Sequence, residues 1–258
     1  MRALMNGMRT LWDLLTRERR CPACAAVHTP GSRDRDAVYF CQSCAHALQR
    51  RDSGYCPGCG EPAAWPTLPL APCLRCLAAP PPWDGFYFHG LHQGLLQNLL
   101  LKLKFHGQIS LARPLGRLLA QHPALERLSA DCVVPIPLHH DRLTRRGYNQ
   151  ALELARPLAG RLGLPCEPAL LERTRATLPQ AGADLAFRKQ NTLGAFSAAS
   201  GVRGARILLL DDTVTTGSTL AAAAAALLEA GARSVSAAAV SRTARLRQKR
   251  TTLNGTHS

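Results

Sequence analysis

The sequence predicts an α/β protein: a parallel sheet flanked by helices, with a small cysteine-rich metal-binding module in front of it. Three observations predict this. Short apolar runs, Cys132 to Pro137 and Ile207 to Leu210, alternate with helix-forming stretches, as strands buried on both faces of a parallel sheet do. Eight of the ten cysteines fall in four CxxC pairs between positions 21 and 76. A chain of 258 residues, 46% of them hydrophobic, is long enough for one α/β domain of moderate size plus a small module.

Composition narrows the partners. Lys and Arg number 32 against 17 Asp and Glu, a net charge of +15. Such a balance favours phosphates, pyrophosphate or nucleic acid, although arginines scattered over the surface would give the same sum. Met1 to Arg20 lacks the pattern of a signal peptide: its apolar residues, Leu11-Trp12 and Leu14-Leu15, are broken by Asp13. No segment approaches the roughly 18 apolar residues that a transmembrane helix needs. The cysteines are therefore expected to be reduced, in a cytoplasmic protein.

Residues 1–20 are expected to form a short amphipathic helix or extension, with Leu11, Leu14 and Leu15 on one face. Residues 21–80 form the cysteine-rich module. Its pairs are Cys21/Cys24, Cys41/Cys44, Cys56/Cys59 and Cys73/Cys76. Each CxxC turn aims two thiolates at one centre, and two turns complete a tetrahedral Zn2+ site. Two structural zinc ions are expected. Sequential pairing makes each unit a ribbon, and alternate pairing is the other arrangement open. Four thiolates leave no free coordination position, so a structural role is expected rather than a catalytic one. Gly60 follows Cys59 as a turn-relieving residue, while His28 and His46 read as surface residues and Cys132 and Cys166 as buried small ones.

Ala78 to Pro82 is a stiff linker, and the second domain is expected over residues 81–243. Trp83 to Leu91 reads as an aromatic-rich strand. Leu95 to Leu103 reads as a helix closed near Gly107, and Ser110 to Gln121 as a second, with Pro114 in its first turn. After the strand at 132–137, Leu138 to Gln150 reads as a basic loop. Its Arg142, Arg145 and Arg146 sit where open α/β sheets bind ligands, and guanidinium forks there suit pyrophosphate. Ala151 to Leu162 is a helix capped at Asn149, with Pro157 inside it as a kink or a shifted start. Leu170 to Phe196 has no clean apolar period and reads as a long functional loop. Ser234 to Val240 is the last strand, and residues 244–258 form a basic tail without order of its own.

The chain is organised around residues 206–220. The apolar run to Leu210 is followed by Asp211 and Asp212, then by Thr213, Val214, Thr215, Thr216, Gly217, Ser218 and Thr219, then by a helix over Ala221 to Glu229. A helix N-terminus offers free N–H groups to a phosphate, and the hydroxyls add donors. Gly217 allows close approach of the backbone. Adjacent carboxylates accept from a diol or act through hydrated Mg2+. A ribose 5-phosphate unit fits this set.

This stretch resembles the phosphoribosyl pyrophosphate (PRPP) motif of type I phosphoribosyltransferases. The resemblance implies that Asp211 and Asp212 hold the ribose hydroxyls and serve catalysis, and that Thr213 and Thr215 to Thr219 line the PRPP site. Thr215 stands where some members of that group carry an aspartate base, which argues against a purine-salvage mechanism. The run from Val134 to Gln150 resembles the signature of the ComF competence family, as does Leu103-Lys104-Phe105-His106-Gly107. So do the segment from Arg173 through Arg175, Thr177, Gln180, Arg188 and Asn191 to Phe196, and the cysteine-rich N-terminal module. The resemblance implies a flap carrying Arg188 over the site, Mg2+-PRPP as ligand, and a role in DNA uptake. Its expected partners are single-stranded DNA and proteins of the uptake machinery. Two readings stay open on sequence: a phosphoribosyltransferase of unknown acceptor, and a DNA-binding factor whose PRPP site is regulatory or vestigial.

Overall fold

The computed structural model describes residues 18–29, 39–175 and 194–245. The N-terminal helix expected before residue 18, the body of the flap with Arg188, and the tail beyond residue 245 lie outside the described residues.

In chain order the elements are β1 (Arg19–Arg20), β2 (Val27–His28), α1 (Gln42–Ala47), α2 (Leu74–Ala78), β3 (Phe86–Leu91), α3 (Gly94–Phe105), α4 (Ala112–Ala120), α5 (Pro123–Glu126), β4 (Cys132–Pro135), α6 (His140–Arg146), α7 (Gln150–Leu162), β5 (Leu171–Arg173), β6 (Phe196–Ala198), β7 (Arg206–Val214), α8 (Ser218–Glu229) and β8 (Ser234–Arg242). The main sheet has four strands in the order β3-β8-β7-β4, all parallel. β7 is interior. Leu208 pairs with Val133 on one side and with Ser236 on the other.

The apolar run in β7 follows from its two buried faces. Side chains alternate across a strand. Leu208 and Leu210 join a cluster with Leu99, Leu115 and Leu154 of α3, α4 and α7. Ile207 and Leu209 join another with Leu220, Ala223 and Leu227 of α8. The sheet is thus the middle of three layers. α4 and α7 pack closely because Gly116 faces Pro157. A methyl at Gly116 would lie 2.6 Å from Pro157 Cγ and 2.7 Å from the Leu154 carbonyl oxygen. α7 runs through Pro157 without ending there. Gly116→Ala is expected to destabilise the fold by about 1–3 kcal/mol in urea unfolding, the cost of overpacking. At a helix position free of that clash the same change would stabilise, so the sign is diagnostic.

Four elements differ from the sequence expectation. β7 does not stop at Leu210; it carries Asp211, Asp212, Thr213 and Val214 within the strand, because pairing to β8 continues as far as Val214 opposite Arg242. β8 likewise extends to Arg242. The expected basic loop at 138–150 contains α6, with His139 accepting from the Asp141 N–H as N-cap and Gly147 at φ +80° as C-cap. The helix expected from Ser110 begins at Ala112, and Ser110 lies in a 3-10 turn, Ile109–Leu111, ahead of it.

The cysteine pairs assemble sequentially. Cys21, Cys24, Cys41 and Cys44 form one cluster, and Cys56, Cys59, Cys73 and Cys76 another, with all sulfurs of a cluster within 4.8 Å of one another. Among the described residues no histidine joins either group. Gly60 adopts φ +68°, and Ala25 takes the equivalent place after Cys24 at φ +61°. Both clusters are bonded into the rest of the fold. Cys21, Phe40, Cys44 and Leu48 belong to the same buried cluster as Leu99 and Leu115. Tyr55 packs edge-on against Phe88 of β3, ring centroids 4.9 Å apart.

Candidate functional site

The cleft opens where β4 and β7 end. The helix after β7 leads to β8 on one side while β4 lies on the other, which is where ligands enter open parallel sheets. The cleft has a volume of about 450 Å3 and is lined by Lys104, Ile136, Leu138, Arg142, Arg146, Gln150, Arg173, Asp211, Asp212, Thr213, Thr215 and Thr219.

Strand geometry separates the two carboxylates. Adjacent residues in β7 point to opposite faces, so Asp211 and Asp212 approach the cleft from different sides. Each accepts a backbone N–H of the next residue: Asp211 Oδ1 from Asp212 at 2.8 Å, and Asp212 Oδ1 from Thr213 at 2.7 Å. Asp212 is only 3% exposed, and its Oδ2 lies 3.1 Å from Lys104 Nζ, reaching in from the last turn of α3. Burial pushes the Asp211 carboxyl up to about 7, and the neighbouring charge of Asp212 acts in the same direction, while Lys104 opposes. The pair therefore carries one carboxylate that gives up its proton near neutrality. Two oxygens facing one cleft, one of them held by a displaceable cation, fit a hydrated Mg2+ or a ribose diol.

Beyond β7 the chain makes a tight cup before α8. Asp211, Thr213 and residues 214–220 line a second, small concavity. Gly217 is left-handed at φ +82° and serves as N-cap of α8 without a side-chain cap bond. Thr216 Oγ1 lies 2.9 Å from Ser218 Oγ and accepts the Ser218 N–H at 3.3 Å. Backbone N–H groups at a helix start, with the hydroxyls of Thr215, Thr216, Ser218 and Thr219 beside them, are what a phosphate monoester needs.

The opposite wall is basic. Arg142 and Arg146 of α6 reach the cleft, whereas Arg145 is exposed and not part of its lining. Arg173, the last residue of β5, is buried with its guanidinium 5.4 Å from the Phe196 ring centroid. Burial lowers its pKa, as does Arg142, while Asp211 raises it. β5 and β6, which flank the undescribed residues 176–193, form an antiparallel pair.

Within the run Arg146 to Gln150, Tyr148 and Asn149 serve as scaffold, while Arg146 and Gln150 line the cleft. Arg146 Nη1 donates to Gln150 Oε1 at 2.6 Å and stands 5.4 Å from the exposed Phe105 ring. The Tyr148 hydroxyl donates to the Leu103 carbonyl, tying α3 down. Asn149 donates to the Ile136 carbonyl at 3.0 Å and accepts the Ala151 N–H at 3.0 Å, so one side chain both caps α7 and holds the end of β4.

The four-thiol clusters fit zinc by their chemistry. Their sulfurs approach without disulfide bonds, Cys24 to Cys41 at 3.6 Å and Cys59 to Cys73 at 3.7 Å. Burial, and hydrogen bonding with Cys59, push the Cys76 thiol well above its ordinary value, the expected result for crowded sulfurs with no cation between them.

A model of the phosphoribosyl transferase domain matches residues 148–253. The DNA utilization protein YhgH of Salmonella typhimurium is 39% identical over 209 residues, covering 79% of this chain and 90% of that protein. Competence protein F of Haemophilus influenzae is 31% identical over 212 residues, with the same shares covered. The chain belongs to the ComF family. Its Escherichia coli relative, also named DNA utilization protein YhgH, is 36% identical over 209 residues, covering 79% of this chain and 90% of that one. This ComF-family chain accordingly combines a phosphoribosyltransferase domain with two N-terminal four-cysteine clusters.

Sequence reasoning gave no site role to three polar residues that line the ComF cleft, Lys104, Gln150 and Arg173, nor to the apolar Ile136 and Leu138. Lys104 lies in the Lys-Phe-His-Gly element that resembled the family, but a lysine in a last helical turn is explained by the helix dipole alone. Only its ion pair with Asp212, 108 positions away, gives it a place in the site. Among the described residues no helix is long and apolar enough to cross a membrane.

Proposed function

We propose that this ComF-family protein binds PRPP with Mg2+ and uses that site in handling DNA taken up from outside the cell. The observation that carries the reading is the position of Asp211 and Asp212, at the mouth of one strand, between a hydroxyl-rich helix start and a wall of arginines. Asp211 and Asp212 would accept from the ribose 2- and 3-hydroxyls. Residues 215–219 would hold the 5-phosphate, with Thr213 lining the same PRPP site. Arg142 and Arg146 would face the pyrophosphate, with Arg145 on the same helix and Arg188 from the flap as the further candidates. Mg2+, when bound, would neutralise charge on the pyrophosphate, and Asp211 and Asp212 are the residues to hold its waters.

Held in this way, the ribose C1 would transfer by losing its bond to pyrophosphate as a bond to an acceptor nucleophile forms. The protein's part is orientation and electrostatic stabilisation of the departing anion. A second reading is favoured by the net charge of +15 and by the names of the relatives: the site binds PRPP as a signal, and the basic surface binds single-stranded DNA without turnover. Calorimetric titration with PRPP and Mg2+ tests the common part. Saturable binding is expected for the parent and none for the Asp211→Asn/Asp212→Asn double variant. Absence of binding by the parent would overturn the proposal. Release of pyrophosphate on adding candidate acceptors separates the two readings, and salt-sensitive binding of a single-stranded oligonucleotide supports the second.

A further inference from the structure

Arg242 is the last residue of β8 and is 0% exposed, although it carries a full charge. A buried guanidinium is tolerated only where its donors are met. Its Nε donates to the Cys59 carbonyl at 2.8 Å, and Nη2 to Glu61 Oε2 at 2.8 Å. Nη1 donates to the carbonyls of Val214, at 3.3 Å, of Thr215 and of Thr243. Arg245 repeats the link: its backbone N–H reaches Glu61 Oε1 at 3.2 Å and its Nη2 the Thr216 carbonyl at 3.1 Å. Trp83 makes a third, donating to the Gly58 carbonyl at 2.7 Å while its ring lies 3.6 Å from where a Gly217 methyl would stand.

Three residues in and just after the Cys56/Cys59 turn of the second cluster, Gly58, Cys59 and Glu61, are thus joined to four consecutive residues of the cup, 214–217. We infer that Arg242 and Glu61 are positioning residues that set the phosphate cup from the second cysteine cluster, so that metal in this cluster governs how well the cup holds a sugar phosphate. The inference rests on the PRPP reading of the cleft. The physical reason lies in the trans peptide, whose C=O and N–H point in opposite directions. Anchoring the Thr215 and Thr216 carbonyls on the cluster side turns the N–H groups of Thr216 and Gly217 away from it. Those are the donors a phosphate in the cup would use. Among the described residues the first cluster shows no such link; its buried cysteines join the core on the α3, α4 and α7 face.

The test uses the full zinc-loaded chain and three probes: ribose 5-phosphate, PRPP with Mg2+, and pyrophosphate with Mg2+. Glu61→Ala removes the shared anchor of both arginines from a partly exposed position. It is expected to weaken ribose 5-phosphate and PRPP about tenfold, the worth of one charge-assisted contact. Pyrophosphate binding and a zinc content of two should stay as in the parent. Amide exchange at Thr216 and Gly217 should quicken. Cys76→Ser, with one zinc ion lost, should repeat the weaker sugar-phosphate binding and the faster exchange, and Cys44→Ser, also with one zinc ion lost, should not; if Cys76→Ser fails to fold, Glu61→Ala decides. Parental ribose 5-phosphate affinity with parental exchange at Thr216 and Gly217 would overturn the inference. So would an equal loss for all three probes, which marks general loosening. If the parent binds neither ribose 5-phosphate nor PRPP, the proposed function fails, and the strut stands or falls on the exchange rates alone.

Discussion

At pH 7 the Asp211→Asn variant is expected to melt at a higher temperature than the parent and to bind Mg2+-PRPP far more weakly. The stability gain follows from the carboxyl's surroundings. Burial raises Asp211 from its ordinary 3.8 to about 7, so the folded chain keeps a proton there that the unfolded chain releases. A folded-state value above the unfolded one makes stability fall as pH rises from about 4 to about 7, with the full cost present above that range. Asparagine removes the cost and keeps the oxygen that accepts the Asp212 N–H. Discounted for Asp211's partial opening to the cleft, the gain is about 1–2 kcal/mol, or roughly 2–8 °C in Tm. The same change deletes a charged acceptor for the ribose, which weakens PRPP by about 10- to 150-fold. Thermal scans of both proteins at pH 5 and pH 8 check the sign: the variant's advantage should shrink at pH 5. A variant that melts below the parent at pH 8 would show that Asp211 is ionised without penalty.

Metal removal should have the larger effect on stability. Metal analysis is expected to find two zinc ions per chain. Chelation should unfold more than the N-terminal cysteine region, because Cys21, Phe40, Cys44 and Leu48 share one buried cluster with Leu99, Leu115 and Leu154. Structural zinc contributes about 10–16 kcal/mol of apparent folding free energy in small domains, so even a fraction of that exceeds the margin of most proteins. Cys44→Ser and Cys76→Ser should each reduce the zinc count to one, with Cys44→Ser the more destabilising in thermal scans. A chelated protein that keeps its far-ultraviolet spectrum and melting temperature would sink the structural role of the metal.

Much of the site was legible because its determinants are local in sequence. Two carboxylates after an apolar run and a hydroxyl turn before a helix need no distant partner to be recognised, and the four CxxC turns announce their ligands by spacing alone. The extent of β7 was not legible. The apolar run marks only where both faces are covered, whereas hydrogen bonding to β8 carries the strand on through Val214. α6 was read as a loop because it buries none of its side chains and so leaves no apolar period; only its caps, His139 and Gly147, signal it. Lys104 and Arg173 escaped for another reason. Each owes its place to residues far along the chain, Asp212 for the one and Phe196 for the other, and such pairings leave no mark in spacing.

The position of β8 bears on how the chain is made. It is the last of the sheet's strands to leave the ribosome, yet it is inserted between β3 and β7, with Phe86 paired to Ala237. Until Ser234 to Arg242 emerges, β3 has no neighbour in the sheet and β7 has only β4. Pairings separated by so much chain are slow to form. The cysteine clusters, by contrast, close over short loops and can be complete while most of the chain is still unmade. For a nascent chain, metal capture would come first and closure of the sheet last. The final strand, which carries Arg242, would then dock onto a cysteine turn already in place.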